Sequence, residues 1–299
     1  EDLRHDERLM QLFALINGIL PKTLSPTQQD INVARYSVIP FTKNVGLIQW
    51  FTNADTLHQL ICANRDKHKV NRNIESIFIN EMTSTNSGPL TLFQRYEVFT
   101  NIQKEFKGME LFESMWLKSP NAAIWMKRTE HFTISYALMS MVGYIIGLGD
   151  RHPSNIMIQR NTGKVVHIDF GESFDSASLR ELYPEKVPFR LTRMIVNCFE
   201  GSNTSGLFKE MCIKTMQLIR DNNRLLLSHL SIFVEEGADG LTKNEIKDPF
   251  LLARCEKKLF GKEFFDEGES VEEQVKGLIQ IAEDPLNYLQ HYLGWCPYW

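Results

Sequence analysis

Between Phe132 and Gly149 the chain runs for 18 residues without a charged side chain, then turns abruptly into Asp150-Arg151-His152. A stretch of that length sits at the lower edge of what a membrane-spanning helix needs. Thr133, Ser135 and Ser140 dilute it, and Gly147 and Gly149 break its far end. It reads instead as the second half of a long helix, 122–146, enclosed by a protein core. That helix delivers a charged cluster to the core's edge. A length of 299 residues, 43% hydrophobic and 23% charged, is enough to bury such a core in one or two domains.

Around that helix the periodicity is mostly helical. Leu9, Leu12, Phe13, Ile16, Ile19 and Leu20 recur at three and four residues and predict a helix over 2–20. Pro21 and Ser25-Pro26 mark a loop. Segments 34–41 and 45–51 are short and β-rich on either side of a Thr-Lys-Asn turn, and read as neighbouring strands. Asp55 is the expected cap of a helix over 55–68. Further helices are expected at 73–82, 90–106 and 111–117, around a soft loop at 84–89. Past the long helix, 156–159 and 164–168 read as two strands joined by Arg-Asn-Thr-Gly. Helices follow at 192–199, 206–220 and 222–235. A polar stretch, 236–247, precedes a helix through Phe260, and a last helix over 270–283 closes at Asp284-Pro285. There is no internal repeat. The pattern is α+β with a helical second half.

The formal charge of −4 is unevenly spread. Residues 266–299 carry seven acids against one base, Lys276, so the rest of the chain is slightly positive and the end reads as a distinct element. A pI near 6.1 argues against a dedicated nucleic-acid binder. The five cysteines are scattered without a CxxC pair, which fits a reducing compartment and offers no zinc site. No signal peptide is visible after Glu1, and a piece of a larger chain is the simplest expectation.

The chemistry is concentrated in two clusters, Gly149-Asp150-Arg151-His152-Pro153-Ser154-Asn155 and His167-Ile168-Asp169-Phe170-Gly171. Phosphoryl transfer from a nucleotide needs a group to orient the attacking hydroxyl, oxygen ligands for Mg²⁺, and charge compensation on the moving phosphoryl. Asp and Asn are hard oxygen donors suited to Mg²⁺. Protein kinases place a catalytic Asp five residues before a metal-binding Asn, with an Asp-Phe-Gly beyond. Asp150 and Asn155 are five apart here, and Asp169-Phe170-Gly171 follows the expected hairpin, although the His comes after the Asp. Either tripeptide alone is weak; the two in order, with strand–turn–strand between, point to phosphotransfer. His167 by itself reads as structural.

GLGDRHPSNIMI (147–158) followed by HIDFG (167–171) resembles the phosphatidylinositol-3-kinase-related protein kinases. PEKVPFRLTRM (184–194) resembles their activation segment, and GWCPYW (294–299) the ending of the target-of-rapamycin type within that family. EDLRHDERLMQLF, RYSVIP, DTLHQLI, MWLKSP and SMVGYIIGLGDRHPSN extend the likeness over nearly the whole chain. The resemblance implies a bilobal kinase-like α+β fold. Its parts would be a shortened small lobe and hinge (1–52), a helical large lobe (53–265) and a FATC-type C-terminal segment (266–299). It implies ATP and Mg²⁺ as cofactors, with Mn²⁺ the alternative ion. Asp150 would orient the acceptor hydroxyl, His152 would assist it, and Asn155 and Asp169 would ligate the metal. Trp50 would stack on adenine, and the Phe51 backbone would hydrogen-bond it. Tyr36, Ile48, Thr56, Met157 and Ile168 would line the same pocket, and Glu1 and Asp6 would stand at the start of the helix that completes it. For Tyr36, Met157 and Ile168, plain core packing is the competing assignment.

The family's nucleotide-anchoring Lys and glycine-rich loop would lie before Glu1, and neither Lys22 nor Lys43 has the context to replace the Lys. These 299 residues alone are therefore expected to be inactive. The resemblance gives 69–107 as the docking region for a WD-repeat propeller subunit, with adaptor subunits of a target-of-rapamycin-like complex as further partners and proteins as substrates. It implies a cytoplasmic location with peripheral endomembrane contact. The aromatic end, from Tyr292 to Trp299, is expected to pack on the domain. Leu289 stands where some relatives carry a cysteine, so a disulfide from Cys296 is not expected. Two alternatives stay open: a phosphoinositide kinase, and a non-catalytic scaffold or pseudokinase. Residues 179–193 carry Arg180, Lys186, Arg190 and Arg193 against Glu181 and Glu185, less basic than a lipid kinase would want.

Overall fold

A computed structural model describes residues 2–20, 31–42, 45–84, 89–199, 201, 203–235, 250–263 and 267–299. Glu1, Lys22, Lys43, the turn at 43–44 and the polar stretch at 236–247 lie outside the described residues. Twelve helices can be traced among the described residues: α1 (Leu3–Ile19), α2 (Leu57–Lys67), α3 (Ile74–Ser84), α4 (Leu92–Glu105), α5 (Glu110–Leu117), α6 (Ala122–Ile145), α7 (Arg193–Val196), α8 (Leu207–Asp221), α9 (Asn223–Glu235), α10 (Leu251–Leu259), α11 (Val271–Glu283) and α12 (Pro285–Tyr288). The strands β1 (Val38–Thr42) and β2 (Val45–Ile48) pair antiparallel. A second antiparallel sheet has the order β3 (Ala54–Thr56), β4 (Ile156–Gln159), β5 (Val165–His167). The architecture is α+β, as the sequence predicts.

Helix α6 is the axis. From Phe132 to Ile145 every residue is buried, because other elements close around it on all sides. Two of its hydroxyls are satisfied within the helix: Thr133 Oγ1 donates to the Thr129 carbonyl at 2.9 Å and Ser135 Oγ to that of His131 at 2.6 Å. Ser135 Oγ also accepts from the Val165 N–H at 2.9 Å, which fastens β5 to the helix. Among the described residues no helix is long and apolar enough to cross a membrane.

Three sequence expectations need correcting. Asp55 does not cap α2. Thr56 does, in a reciprocal capping box with Gln59, while Asp55 lies in β3 with its carboxylate held by Arg160 and Lys118. Three residues are too few to show strand alternation, so β3 was invisible and the expected hairpin is a three-stranded sheet. Asp284-Pro285 ends α11 but also starts α12, since Asp284 accepts from the Leu286 N–H at 2.9 Å and Pro285 needs no donor at the first position.

A smaller core lies apart from the main one. Val98, Phe99 and Ile102 of α4 pack there on Tyr288, Leu289, Trp295 and Tyr298 of the C-terminal segment. The expected packing of the aromatic end is thus observed, and all five cysteines are free. The last residue, Trp299, stacks on His58 at 5.4 Å and lies 5.1 Å from the Arg65 guanidinium. Arg65 ties α2 to α3 and α5 through Glu75 (2.5 Å) and Glu110 (3.0 Å), with its side chain fully buried.

Replacing Arg65 by Ala would leave the Glu75 and Glu110 carboxylates without their shared cation beneath Trp299. We expect a loss of about 3–5 kcal/mol, read from the urea unfolding midpoint, with Arg65→Lys recovering only part of it.

Candidate active site

The antiparallel register sets the site. Ile156 pairs with His167, so the residues flanking that pair, Asn155 and Ile168, meet at one end of the sheet. The Ile168 N–H donates to the Asn155 carbonyl at 3.1 Å. Asp169 is the next residue. Asn155 in turn closes the loop before β4: its N–H donates to the His152 carbonyl at 2.9 Å and its Nδ2 to the Asp150 carbonyl at 3.0 Å. Asp150, Asn155 and Asp169 therefore share one end of the hairpin, as their spacing led us to expect.

Arg151 joins the two loops. Its guanidinium is buried and donates to the Gly149 carbonyl at 2.7 Å, the Ile168 carbonyl at 2.9 Å and the Asp169 carbonyl. It also lies 5.8 Å from the Phe170 ring centre. Burial pulls its pKa down while Asp169, Asp150 and Glu185 pull it up. A guanidinium stays protonated under any such balance. The sequence reading gave Arg151 no part; its only signal was a lone cation between an 18-residue uncharged run and a strand.

Both aspartates have left-handed backbones, φ 55° at Asp150 and 61° at Asp169. Non-glycine residues rarely hold that conformation, and they do so where surroundings over-determine it. Here the Arg151 bonds and the Asn155 loop supply that constraint. The Asp150 N–H donates to Glu185 Oε1 at 2.8 Å. Burial, against the pull of that N–H, pushes the Glu185 carboxyl up to about 7. Asp150 Oδ1 accepts from the Tyr292 hydroxyl at 2.8 Å, and Oδ2 lies 3.9 Å from His152 Nε2. The Ser154 N–H points at His152 Nδ1 at 3.2 Å, which leaves the proton on Nε2, toward Asp150. Burial lowers the His152 pKa, so the ring is held neutral.

The expected nucleotide residues fall into two groups. Thr56 and Met157 are directly paired across β3 and β4, half-buried, with Ile168 half-buried one strand further on. Trp50 is 85% exposed and Ile48 also stands out into solvent, both just beyond or within β2. Tyr36 is buried, its ring stacked on Phe170 at 6.3 Å and edge-on to Phe51 at 5.8 Å. It is thus part of the core at this point, and burial together with Asp6 raises its phenol pKa. Asp6 lies on α1, and Glu1 is outside the described residues. His167 pairs in the sheet, and burial holds its pKa well below the usual value.

Comparison with known proteins gives two family matches, Phosphatidylinositol 3- and 4-kinase over residues 1–244 and FATC domain over residues 269–299. A Target of rapamycin homolog of Caenorhabditis elegans is 38% identical over all of this chain and 12% of its own length. Serine/threonine-protein kinase tor1 of Schizosaccharomyces pombe is 38% identical over all of this chain and 15% of its own. The Arabidopsis thaliana Serine/threonine-protein kinase TOR is 44% identical over 79% of this chain and 10% of its own. The chain thus spans only a small part of each relative. Among solved structures, a Tel1 kinase butterfly symmetric dimer superposes with a TM-score of 0.80 at 29% identity, over all of this chain and 13% of that one.

The C-terminal stretch that matches the second family is fastened to the activation-segment-like residues and to α4 by arginines, of which Arg190 is buried. Arg190 donates to the carbonyls of Trp295 (2.6 Å) and Cys296 (2.8 Å) and lies 4.3 Å from the Trp295 ring. Arg193 donates to the Tyr298 carbonyl at 3.0 Å, and Arg95 of α4 to that of Leu289 at 2.9 Å. The Lys186 N–H donates to His291 Nε2 at 3.0 Å, so His291 must be neutral to accept it. Burial, then the charge of Arg190, lowers the His291 pKa to about 3. The unfolded chain binds this proton near 6.5 and the folded chain does not, so stability is full above 6.5 and falls as the pH drops toward 3. By pH 5 the cost should be about 2 kcal/mol. It should appear as a pH-dependent fall in the urea midpoint that His291→Gln removes.

Proposed function

Because the chain belongs to the phosphatidylinositol 3- and 4-kinase family, with a FATC domain at 269–299, we propose that it is the catalytic and C-terminal part of a target-of-rapamycin-type serine/threonine protein kinase acting in growth and nutrient signalling. The observation that carries this is the joining of the Asp150 loop to the Asp169 loop by the buried Arg151. On this reading the chain divides at 52/53 and 265/266, as the resemblance implies.

The hard-oxygen set suits Mg²⁺. Asn155 commits Nδ2 to the Asp150 carbonyl, which leaves Oδ1 as an oxygen ligand, and Asp169 is exposed beside it. Two protein ligands are what Mg²⁺ uses when phosphates and water complete its octahedron. Accordingly, no group of three His, Cys, Asp or Glu suited to a metal occurs among the described residues. Bound MgATP supplies the phosphoryl group and the countercharge. Asp150 accepts the hydrogen bond of the acceptor hydroxyl, fixes its direction and receives its proton. His152, neutral and protonated on Nε2, donates toward the developing charge. The half-buried patch of Thr56, Met157 and Ile168, with Trp50 and Phe51 at the hinge, takes the adenine.

A specific observation favours protein over lipid substrates. Arg190 and Arg193 are spent on carbonyls of the C-terminal segment, and Arg180 pairs with Glu172 at 2.8 Å. Little positive charge remains for an anionic headgroup. Docking of a WD-repeat subunit on 69–107 is supported by the outer face of α4, where Phe93 is 76% exposed. Adaptor subunits and a cytoplasmic location with peripheral endomembrane contact follow the same family reading. Any such contact would draw on Leu286 and Leu293, since the tail's tryptophans are buried.

In the full-length protein, Asp169→Ala should lower phosphotransfer to a peptide by at least about a hundredfold. Retained activity would make the metal assignment wrong.

A further inference from the structure

Three short contacts form a closed circuit around Asp150. Its N–H donates to Glu185 Oε1 at 2.8 Å. The next residue, Lys186, donates its N–H to His291 Nε2 at 3.0 Å. The residue after His291, Tyr292, returns to Asp150 with its hydroxyl on Oδ1 at 2.8 Å. Both ends of Asp150, backbone and carboxylate, are thus set by one continuous run of bonded neighbours, and half of that run belongs to the C-terminal segment.

The Tyr292 contact is built rather than incidental. Gly294 leaves bare the space beside the Tyr292 ring, where a side chain would meet Cε2 at 2.6 Å. His291, the residue before it, is fully buried and anchored by the Lys186 N–H, which fixes the backbone that carries the ring. Burial, and then Asp150 itself, push the phenol far above its usual range, which keeps it a donor. A carboxylate has about four lone-pair positions. Tyr292 takes one of them on Oδ1, and Oδ2 remains to receive a hydroxyl.

We propose that Tyr292 is a positioning residue for the transfer: its hydroxyl holds the Asp150 carboxylate in the orientation that accepts the substrate hydroxyl. The C-terminal segment thereby forms one wall of the catalytic centre. This rests on the reading of Asp150 as the acceptor-orienting group.

The test uses the full-length kinase with MgATP and a serine peptide, comparing wild type, Tyr292→Phe and Asp150→Ala. Phe keeps the ring and removes only the hydroxyl. The expected result is a kcat about tenfold lower, the worth of one hydrogen bond to a charged group. The KM for ATP should stay unchanged, and so should hydrogen-exchange protection of residues 285–299. An unchanged kcat would overturn the proposal. So would a fall in kcat accompanied by lost protection or a raised KM, because Tyr292 would then be holding the tail and not the carboxylate. If Asp150→Ala retained wild-type kcat, the assignment of Asp150 itself would fall, an outcome separable from any result with Tyr292→Phe.

Discussion

One buried guanidinium sets the geometry of this molecule's functional end. Arg151 spends its donors on three backbone carbonyls, two of them in the loop after β5, and keeps its charge within reach of Asp150, Asp169 and Glu185. Carbonyls, and not carboxylates, take its directed bonds. The acids nearby stay available for chemistry while the cation offsets their mutual repulsion. Left-handed backbones at Asp150 and Asp169 are tolerable for the same reason, since the cost of each is met by bonds that a relaxed chain would not make.

Much of this was legible in the sequence, for reasons that particular residues make clear. The uncharged run from Phe132 has to be surrounded, and that placed α6 correctly. The five-residue step from Asp150 to Asn155 and the strand–turn–strand before Asp169 placed three side chains at one hairpin end. What escaped reading was non-local or too short to carry a pattern. Strand β3 has three residues and no alternation. Asp55 looks like a cap in one dimension, but Arg160, 105 residues away, claims its carboxylate and leaves the cap to Thr56. Arg151, Glu185 and Tyr292 owe their roles to partners that spacing does not reveal. Tyr36 packs on Phe51 and Phe170 and also lines a cleft between α1 and β1, surroundings that sequence spacing does not reveal.

The C-terminal segment is better described as a layer of the domain than as an appendage. Its aromatic residues form a second core with α4, and its carbonyls accept the hydrogen bonds of Arg190, Arg193 and Arg95. The donors of those cations are thereby directed inward, so the same contacts that hold the tail also orient the arginines of 190–193. The acids of 266–299 all lie at or before Asp284, so the aromatic end from Pro285 to Trp299 carries no acidic or basic side chain besides His291.

The bond between Tyr292 and Asp150 spans 142 residues of chain. Closing so long a loop adds little to the equilibrium cost, because loop entropy grows only logarithmically. It weighs on kinetics, where contacts between distant residues come late. The carboxylate that Tyr292 contacts is therefore ordered in part by a segment distant along the chain, and that contact comes late. A partly folded chain, however well formed its sheet and its long helix, would hold Asp150 in place by its backbone alone.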